Sequence, residues 1–129
     1  MFSLGISPHF ENEVWCGIKF GKLIKFDLER EEVLSQNNRA HTIETNGSIP
    51  LLFEDGFDVN SITPTFDPHV IATGADDGLI KLWDSRNFSS TCKPIGGFIG
   101  HYEGITSIDS CGYCGCSNNI YQLCSNSKD

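Results

Sequence analysis

Short segments with strand-like patterns follow one another along the chain, separated by clusters of glycine, aspartate and asparagine. The clearest are DVNSITPTF at 58–66, HVIATG at 69–74 and GLIKLWD at 78–84. The first alternates weakly between apolar and polar residues, the second is a short apolar run, and the third alternates clearly. Each is bounded by turn residues, as is typical of β-strands. The segment FDLEREEVLSQNNRAH at 26–41 comes closest to a helical period, but its place after Phe26-Asp27 favours a strand and a loop. The pattern therefore predicts an all-β protein.

Similar segments recur along the chain. CGIKFGKLIKFDLER at 16–30 matches TGADDGLIKLWDSR at 73–86 at a constant offset, and GHYEGITSID at 100–109 opens like the segment at 54–63. Self-similarity of this kind is the mark of a repeat architecture. It divides the chain into a weak first repeat at 1–40, an inserted loop at 41–56, a second repeat at 57–99 and the start of a third at 100–129.

The tandem units resemble WD repeats, which open near Gly-His and close on Trp-Asp, as at Gly100-His101 and Trp83-Asp84. The resemblance implies part of a WD-repeat β-propeller, with about two and a half blades in this sequence. A propeller closes with about four to eight blades. We therefore interpret the sequence as a fragment of a longer protein and expect it to be poorly stable alone.

Polar residues of a WD blade form a buried hydrogen-bonded chain of His, Ser or Thr, Asp and Trp, and this family pattern assigns residues here. The expected members are Thr73, Asp77 and Trp83 in the second repeat and His101, Ser125 and Asp129 in the third. Aligning the second repeat with the third puts the second histidine position at Asp55. We therefore expect the second network to be incomplete or to use another group, with His41 a poor substitute inside the inserted loop.

The same residue types could suggest a hydrolase built from serine, histidine and aspartate. The sequence has no GxSxG elbow, and the repeat pattern already accounts for the three residues. It also lacks a phosphate-binding loop, and no carboxylate pair stands in a recognisable catalytic setting. We therefore expect a protein that is not an enzyme and needs no cofactor.

The end of the second repeat, LWDSR, offers a candidate binding site. Asp84 and Arg86 lie two residues apart just past the predicted strand, so both can point outward as a solvated ion pair or as an interface anchor. The segment resembles the box of WD-repeat proteins that dock onto the damaged-DNA-binding adaptor protein of cullin-4 ubiquitin ligases. The positions that match this adaptor-binding box are Asp77, Ile80, Leu82, Trp83, Asp84 and Arg86.

A wider resemblance, to the cullin-4-associated factor 11 family, covers 57–129 well and 1–32 weakly. It implies a substrate receptor of a cullin-4 RING ligase, with Arg86 as the docking residue, Asp84 orienting it and Trp83 bracing the strand. The implied partners are the adaptor and an unknown protein substrate, and the expected location is the nucleus and cytoplasm. A generic WD-repeat scaffold in another assembly stays open as the alternative.

Charge and cysteines limit the other function classes. The formal net charge of −8 argues against an electrostatic grip on nucleic acid or an anionic membrane, and no apolar run is long enough to span a bilayer. Cys111, Cys114 and Cys116, with Cys124 further on, could hold zinc or form a redox pair. A structural zinc site usually has two separated pairs, so we favour a hairpin loop with free thiols and predict no metal site.

Overall fold

A computed structural model of the protein describes residues 3–6, 10–42, 56–110 and 122–129. Ten strands and one short 3-10 helix lie in these ranges. The strands are β1 (Ser3–Ile6), β2 (Glu13–Gly17), β3 (Leu23–Asp27), β4 (Glu32–Asn37), β5 (Val59–Pro64), β6 (Val70–Ala75), β7 (Leu79–Asp84), β8 (Gly96–Ile99), β9 (Ile105–Ser110) and β10 (Leu123–Ser127), and the 3-10 helix is Lys19–Gly21. The prediction of an all-β protein is confirmed, and none of the described helical residues forms a segment long and apolar enough to cross a membrane.

The strands form three antiparallel sheets in which chain neighbours pair with each other. β1 to β4 make the first sheet, β5 to β8 the second, and β9 with β10 the third. The first strands of the three sheets, β1, β5 and β9, lie beside one another. This radial stacking of up-and-down sheets is the arrangement of propeller blades, here as two four-stranded sheets and a two-stranded one.

Two apolar cores join the sheets. The first, between the first and second sheets, contains Trp15, Leu23, Ala40, Val59, Ile62, Ile71, Trp83 and Phe88, and the second, against the third sheet, contains Ala72, Ile80, Ile105 and Ile108. Successive side chains of β6 point to opposite faces, so Ile71 joins one core and Ala72 the other. An added Cβ at Gly74 would lie 2.5 Å from Ile105 Cγ2, so glycine allows β9 to pack this closely.

The turn between β6 and β7 depends on two local features. Gly78 adopts φ +74°, a left-handed conformation that glycine accepts without a steric cost, and its N–H donates to Ala75 O at 3.1 Å. Asp77 Oδ1 accepts the Leu79 N–H at 3.0 Å, which closes the turn from the side-chain side. The tight turn therefore fixes the Asp77 carboxylate at one end of the second sheet.

Candidate functional site

A hydrogen-bonded series of four side chains runs along the second sheet from the β6–β7 turn to Trp83 near the end of β7. Trp83 Nε1 lies 2.9 Å from Thr73 Oγ1, which lies 2.7 Å from His41 Nε2. His41 Nδ1 lies 2.8 Å from Asp77 Oδ2. The side chain of His41 has no solvent exposure, and that of Asp77 is 8% exposed. These hydrogen bonds therefore connect β6, β7 and the turn between them to the segment before the second sheet.

The two ends of this network determine its proton arrangement. Trp83 can only donate, and the Asp77 carboxylate can only accept, so Thr73 accepts from Trp83 and His41 Nδ1–H donates to Asp77. In a neutral imidazole, Nε2 then accepts from the Thr73 hydroxyl. Burial lowers the pKa of His41 and outweighs the attraction of Asp77. Burial acts to raise the pKa of Asp77, but the hydrogen bond from His41 and the Leu79 N–H keep it below its ordinary value. The network thus holds a neutral imidazole and an ionised carboxylate.

The expectation that the second network could use another group is confirmed, but the judgement on His41 was wrong. His41, judged a poor substitute, completes the second network, whereas Asp55 lies outside the described residues. Thr42 pairs with Gly56 in an isolated β-bridge, and His41 N and O bond to Gly21 O and Phe57 N. The chain between Thr42 and Gly56 is thus inserted after the histidine. Ala40-His41 stands where the third repeat has Gly100-His101, a signal that an alignment with a gap could have found.

The third repeat has a similar but more exposed set. His101 Nε2 lies 2.9 Å from Ser125 Oγ, and His101 Nδ1 lies 3.2 Å from Asp129 Oδ1. The side chains of His101 and Asp129 are both 29% exposed. Hydrogen bonds from the Ser127 hydroxyl and the Tyr102 N–H lower the pKa of Asp129 to about 2. The three residues that the sequence assigned to this repeat therefore lie in contact, at the surface.

The other end of the second sheet carries the arginine of the LWDSR segment. Arg86 Nε and Nη2 donate to the two Asp84 carboxylate oxygens at 3.1 and 3.0 Å, and Arg86 N donates to Asp84 Oδ1 at 2.9 Å. The side chain of Arg86 is 63% exposed, and that of Asp84 is 18% exposed. The hydrogen bonds with Arg86 lower the pKa of Asp84, and those with Asp84 raise the pKa of Arg86. The result is an outward-facing guanidinium held in a fixed orientation.

The other members of the predicted adaptor-binding box lie inside the protein. Trp83 and Ile80 are buried in opposite cores, and Leu82 is partly buried against the second core. Asp77 belongs to the histidine network. The six-residue strand β7, about 20 Å long, separates it from Asp84. The box thus combines two surface residues with residues that shape β7.

The cysteines give no metal site in the described part of the chain. Cys111, Cys114 and Cys116 lie outside the described residues, and Cys124 is exposed. Within 3–6, 10–42, 56–110 and 122–129, no group of three His, Cys, Asp or Glu side chains has the geometry to hold a metal ion.

Comparisons with known proteins agree with this architecture. The family model "WD domain, G-beta repeat" matches residues 51–84. The crystal structure of RRP9 WD40 repeats superposes with a TM-score of 0.60 and 13% identity over 83% of this chain and 26% of that one, a likeness that shows the fold.

Two curated relatives extend the likeness to most of the chain. The LEC14B protein of Lithospermum erythrorhizon is 37% identical over 100 residues, 78% of this chain and 18% of that protein. The DDB1- and CUL4-associated factor 11 homolog of Caenorhabditis elegans is 32% identical over 119 residues, 91% of this chain and 17% of that protein. The chain therefore spans less than a fifth of the length of these relatives. The matched repeat, the blade topology and these relatives together identify it as part of a WD-repeat β-propeller protein similar to the DDB1- and CUL4-associated factor 11 proteins.

Proposed function

We propose that the protein is a non-enzymatic substrate receptor of a cullin-4 RING ubiquitin ligase and that Arg86 docks it onto the DDB1 adaptor. The observation that carries the proposal is the exposed Arg86 fixed by Asp84 at the end of β7, in a chain similar to a DDB1- and CUL4-associated factor 11 homolog. In this role the propeller binds a target protein and other subunits catalyse ubiquitin transfer.

The chemistry of the pair suits docking. Arginine carries five N–H donors in a planar fork, and Asp84 engages one at Nε and one at Nη2. The rest of the guanidinium faces solvent and can donate to acceptors on a partner. Because the ion pair with Asp84 already restricts the Arg86 side chain, docking costs little additional conformational entropy. Arginine anchors of this kind are enriched among the residues that dominate interface energy.

The buried members of the box support this role indirectly. Trp83, packed in the first core and bonded to Thr73, fixes the end of β7 where Asp84 begins the docking segment. Ile80 and Leu82 anchor the other face of the same strand. We propose that they position the arginine, while Asp84 and Arg86 form the surface that meets the adaptor.

The test is co-purification of DDB1 with the whole protein. Arg86→Ala is expected to reduce adaptor recovery at least about tenfold, the range of an interface anchor. Arg30→Ala is the matched control, because Arg30 is also exposed, at 70%, and also pairs with an acidic side chain, Glu32, at 3.7 Å. Adaptor recovery that is equal for Arg86→Ala and wild type would reject the proposal and leave a WD-repeat scaffold of another assembly.

A further inference from the structure

The segment that carries Arg86 connects two strands of the second sheet, but it is also in contact with the first sheet. Residues 85–95 connect β7 to β8. Its own sheet binds it at the two ends, where Ser85 N donates to His69 O at 2.7 Å and Ile95 N donates to Leu82 O at 2.8 Å. Between those ends, contacts to the first sheet occur at the start, the middle and the latter part of the segment.

The contact at the start comes from Lys25 in β3. Its Nζ donates to the Ser85 carbonyl oxygen at 3.2 Å, one residue before Arg86. The same ammonium pairs with Glu13 at 3.1 Å and lies 5.7 Å from the centre of the Trp15 ring. The Lys25 side chain is only 13% exposed, so water competes little for its bonds. A charged donor from the neighbouring sheet thus fixes the backbone next to the arginine.

The contact in the middle is aromatic. Phe88, buried in the first core, meets Trp15 edge-on with ring centres 4.8 Å apart and Trp83 edge-on at 6.0 Å. Trp15 is in the first sheet and Trp83 in the second. Phe88 therefore inserts the segment between the sheets, and edge-to-face pairs of this kind add to the stabilisation from burial alone.

The third contact comes from the end of β4. Asn37 Nδ2 donates to the Cys92 carbonyl oxygen at 3.2 Å and lies 3.6 Å from Cys92 Sγ. Asn37 Oδ1 is held by the Arg39 N–H at 2.8 Å, which fixes the amide orientation. The segment is therefore attached to the first sheet at three points, Ser85, Phe88 and Cys92.

We propose that Lys25 is a positioning residue for Arg86, so that the docking surface on the second sheet is competent only while the first sheet is packed against it. This inference rests on the proposed function for its binding consequence. Lys25 does not need to touch the adaptor, because it acts on the Ser85 carbonyl beside the arginine. The proposal adds to the adaptor-binding box a residue that lies far outside it in sequence.

The experiment uses three variants of the whole protein and purified DDB1. Lys25→Met keeps the apolar stem but removes the donor to Ser85, and it is expected to weaken adaptor affinity about threefold to tenfold. Glu13→Gln removes the ion pair but leaves the Lys25–Ser85 bond, so affinity should stay within about twofold of wild type. Lys19→Met makes the same chemical change at an exposed lysine and should have no effect.

Two further readouts separate positioning from general destabilisation. Amide hydrogen exchange should speed up within 85–92 in Lys25→Met, while β5, β6 and β7 keep wild-type protection. In the Arg86→Lys background, adding Lys25→Met should change affinity less than about twofold, because the two residues act through one contact.

The outcomes are distinct. Unchanged affinity and exchange in Lys25→Met would overturn the inference, and so would faster exchange across the whole second sheet or an equal affinity loss in the Arg86→Lys background. If Arg86→Ala itself leaves DDB1 binding intact, the proposed function and the binding half of this inference both fail. Hydrogen exchange in 85–92 then decides independently whether Lys25 holds the segment.

Discussion

The second and third sheets carry the same type of histidine network in two different environments. In the second, His41 is fully buried and its bonds reach Thr73 and Asp77. In the third, His101 makes equivalent bonds to Ser125 and Asp129, and the side chains of His101 and Asp129 are both 29% exposed. Residue type is thus similar in the two sets, while the access of water is not.

This difference indicates where the free energy of the fold is concentrated. A hydrogen bond in water replaces one made to solvent and contributes little, whereas a buried polar group that loses its partner has no replacement. The buried network of the second sheet therefore makes its blade sensitive to substitution, and the exposed set of the third should tolerate the same change. The predictions below test that contrast, and they run from the largest expected effect to the smallest.

Removing the histidine should separate the two networks most clearly. His41→Ala leaves the Thr73 hydroxyl and the Asp77 carboxylate buried without their partner, and it should lower the free energy of unfolding by about 3 kcal/mol. His101→Ala exposes Ser125 and Asp129 to water, and it should cost less than about 1 kcal/mol. Urea denaturation of the 129-residue chain, in which these exposures hold, measures both, and equal losses would show that burial does not set the difference.

Tryptophan N–H groups extend the contrast to the first sheet. Trp83 Nε1 donates to Thr73, whereas Trp15 Nε1 is buried and finds no hydrogen-bond partner among the described residues. Both rings pack on Phe88, so replacement by phenylalanine costs packing at each position. Trp83→Phe also loses the hydrogen bond and should be about 1 kcal/mol more destabilising than Trp15→Phe in the same denaturation experiment. A larger loss for Trp15→Phe would contradict this account.

Local patterns in the sequence were sufficient for the strands and for part of the network. Alternation and turn residues predicted β5, β6 and β7. The turn at Asp77-Gly78 could be predicted because its geometry depends on residues that are adjacent in sequence. His41 was missed because it is 32 positions from Thr73, and an insertion between them defeats an alignment without gaps.

The contacts that hold the arginine segment could not be predicted for a different reason. Lys25 and Ser85 are 60 positions apart and meet only because two sheets stack at one angle. In sequence, Lys25 is indistinguishable from any other lysine in a strand, and its neighbours along the chain do not indicate a partner. Such contacts between sheets depend on packing geometry, which the hydrophobic pattern does not specify.

Acidification should weaken the second network through its histidine. Burial lowers the pKa of His41 in the folded protein. Below about pH 6.5, the imidazole of the unfolded chain therefore binds a proton while that of the folded protein stays neutral. This contribution to stability is present above that range and is lost as the pH falls towards the folded pKa. Between pH 7 and 6 the loss from this group is at most about 0.7 kcal/mol. The lowered pKa of Asp77 acts in the same direction, but only below about pH 4.

Denaturation midpoints at a series of pH values for wild type and His41→Ala would isolate this contribution. The difference between the two proteins should shrink from pH 7 to pH 5, because the variant has already lost the group responsible. A difference that stays constant over this range would show that His41 does not couple folding to protonation.

The smallest expected effect on stability is at the arginine, where the effect on binding should be large. Arg86→Lys keeps the charge but cannot make the two parallel bonds to Asp84, and since the Arg86 side chain is mostly exposed, the free energy of unfolding should stay close to that of wild type. If fixed geometry is what docks the protein, DDB1 affinity should nevertheless fall about tenfold or more. Arg30→Lys, the same change at an exposed pair of the first sheet, should alter neither quantity. Binding that survives in Arg86→Lys would mean that a positive charge alone is recognised, and the orientation by Asp84 would then have no part in docking.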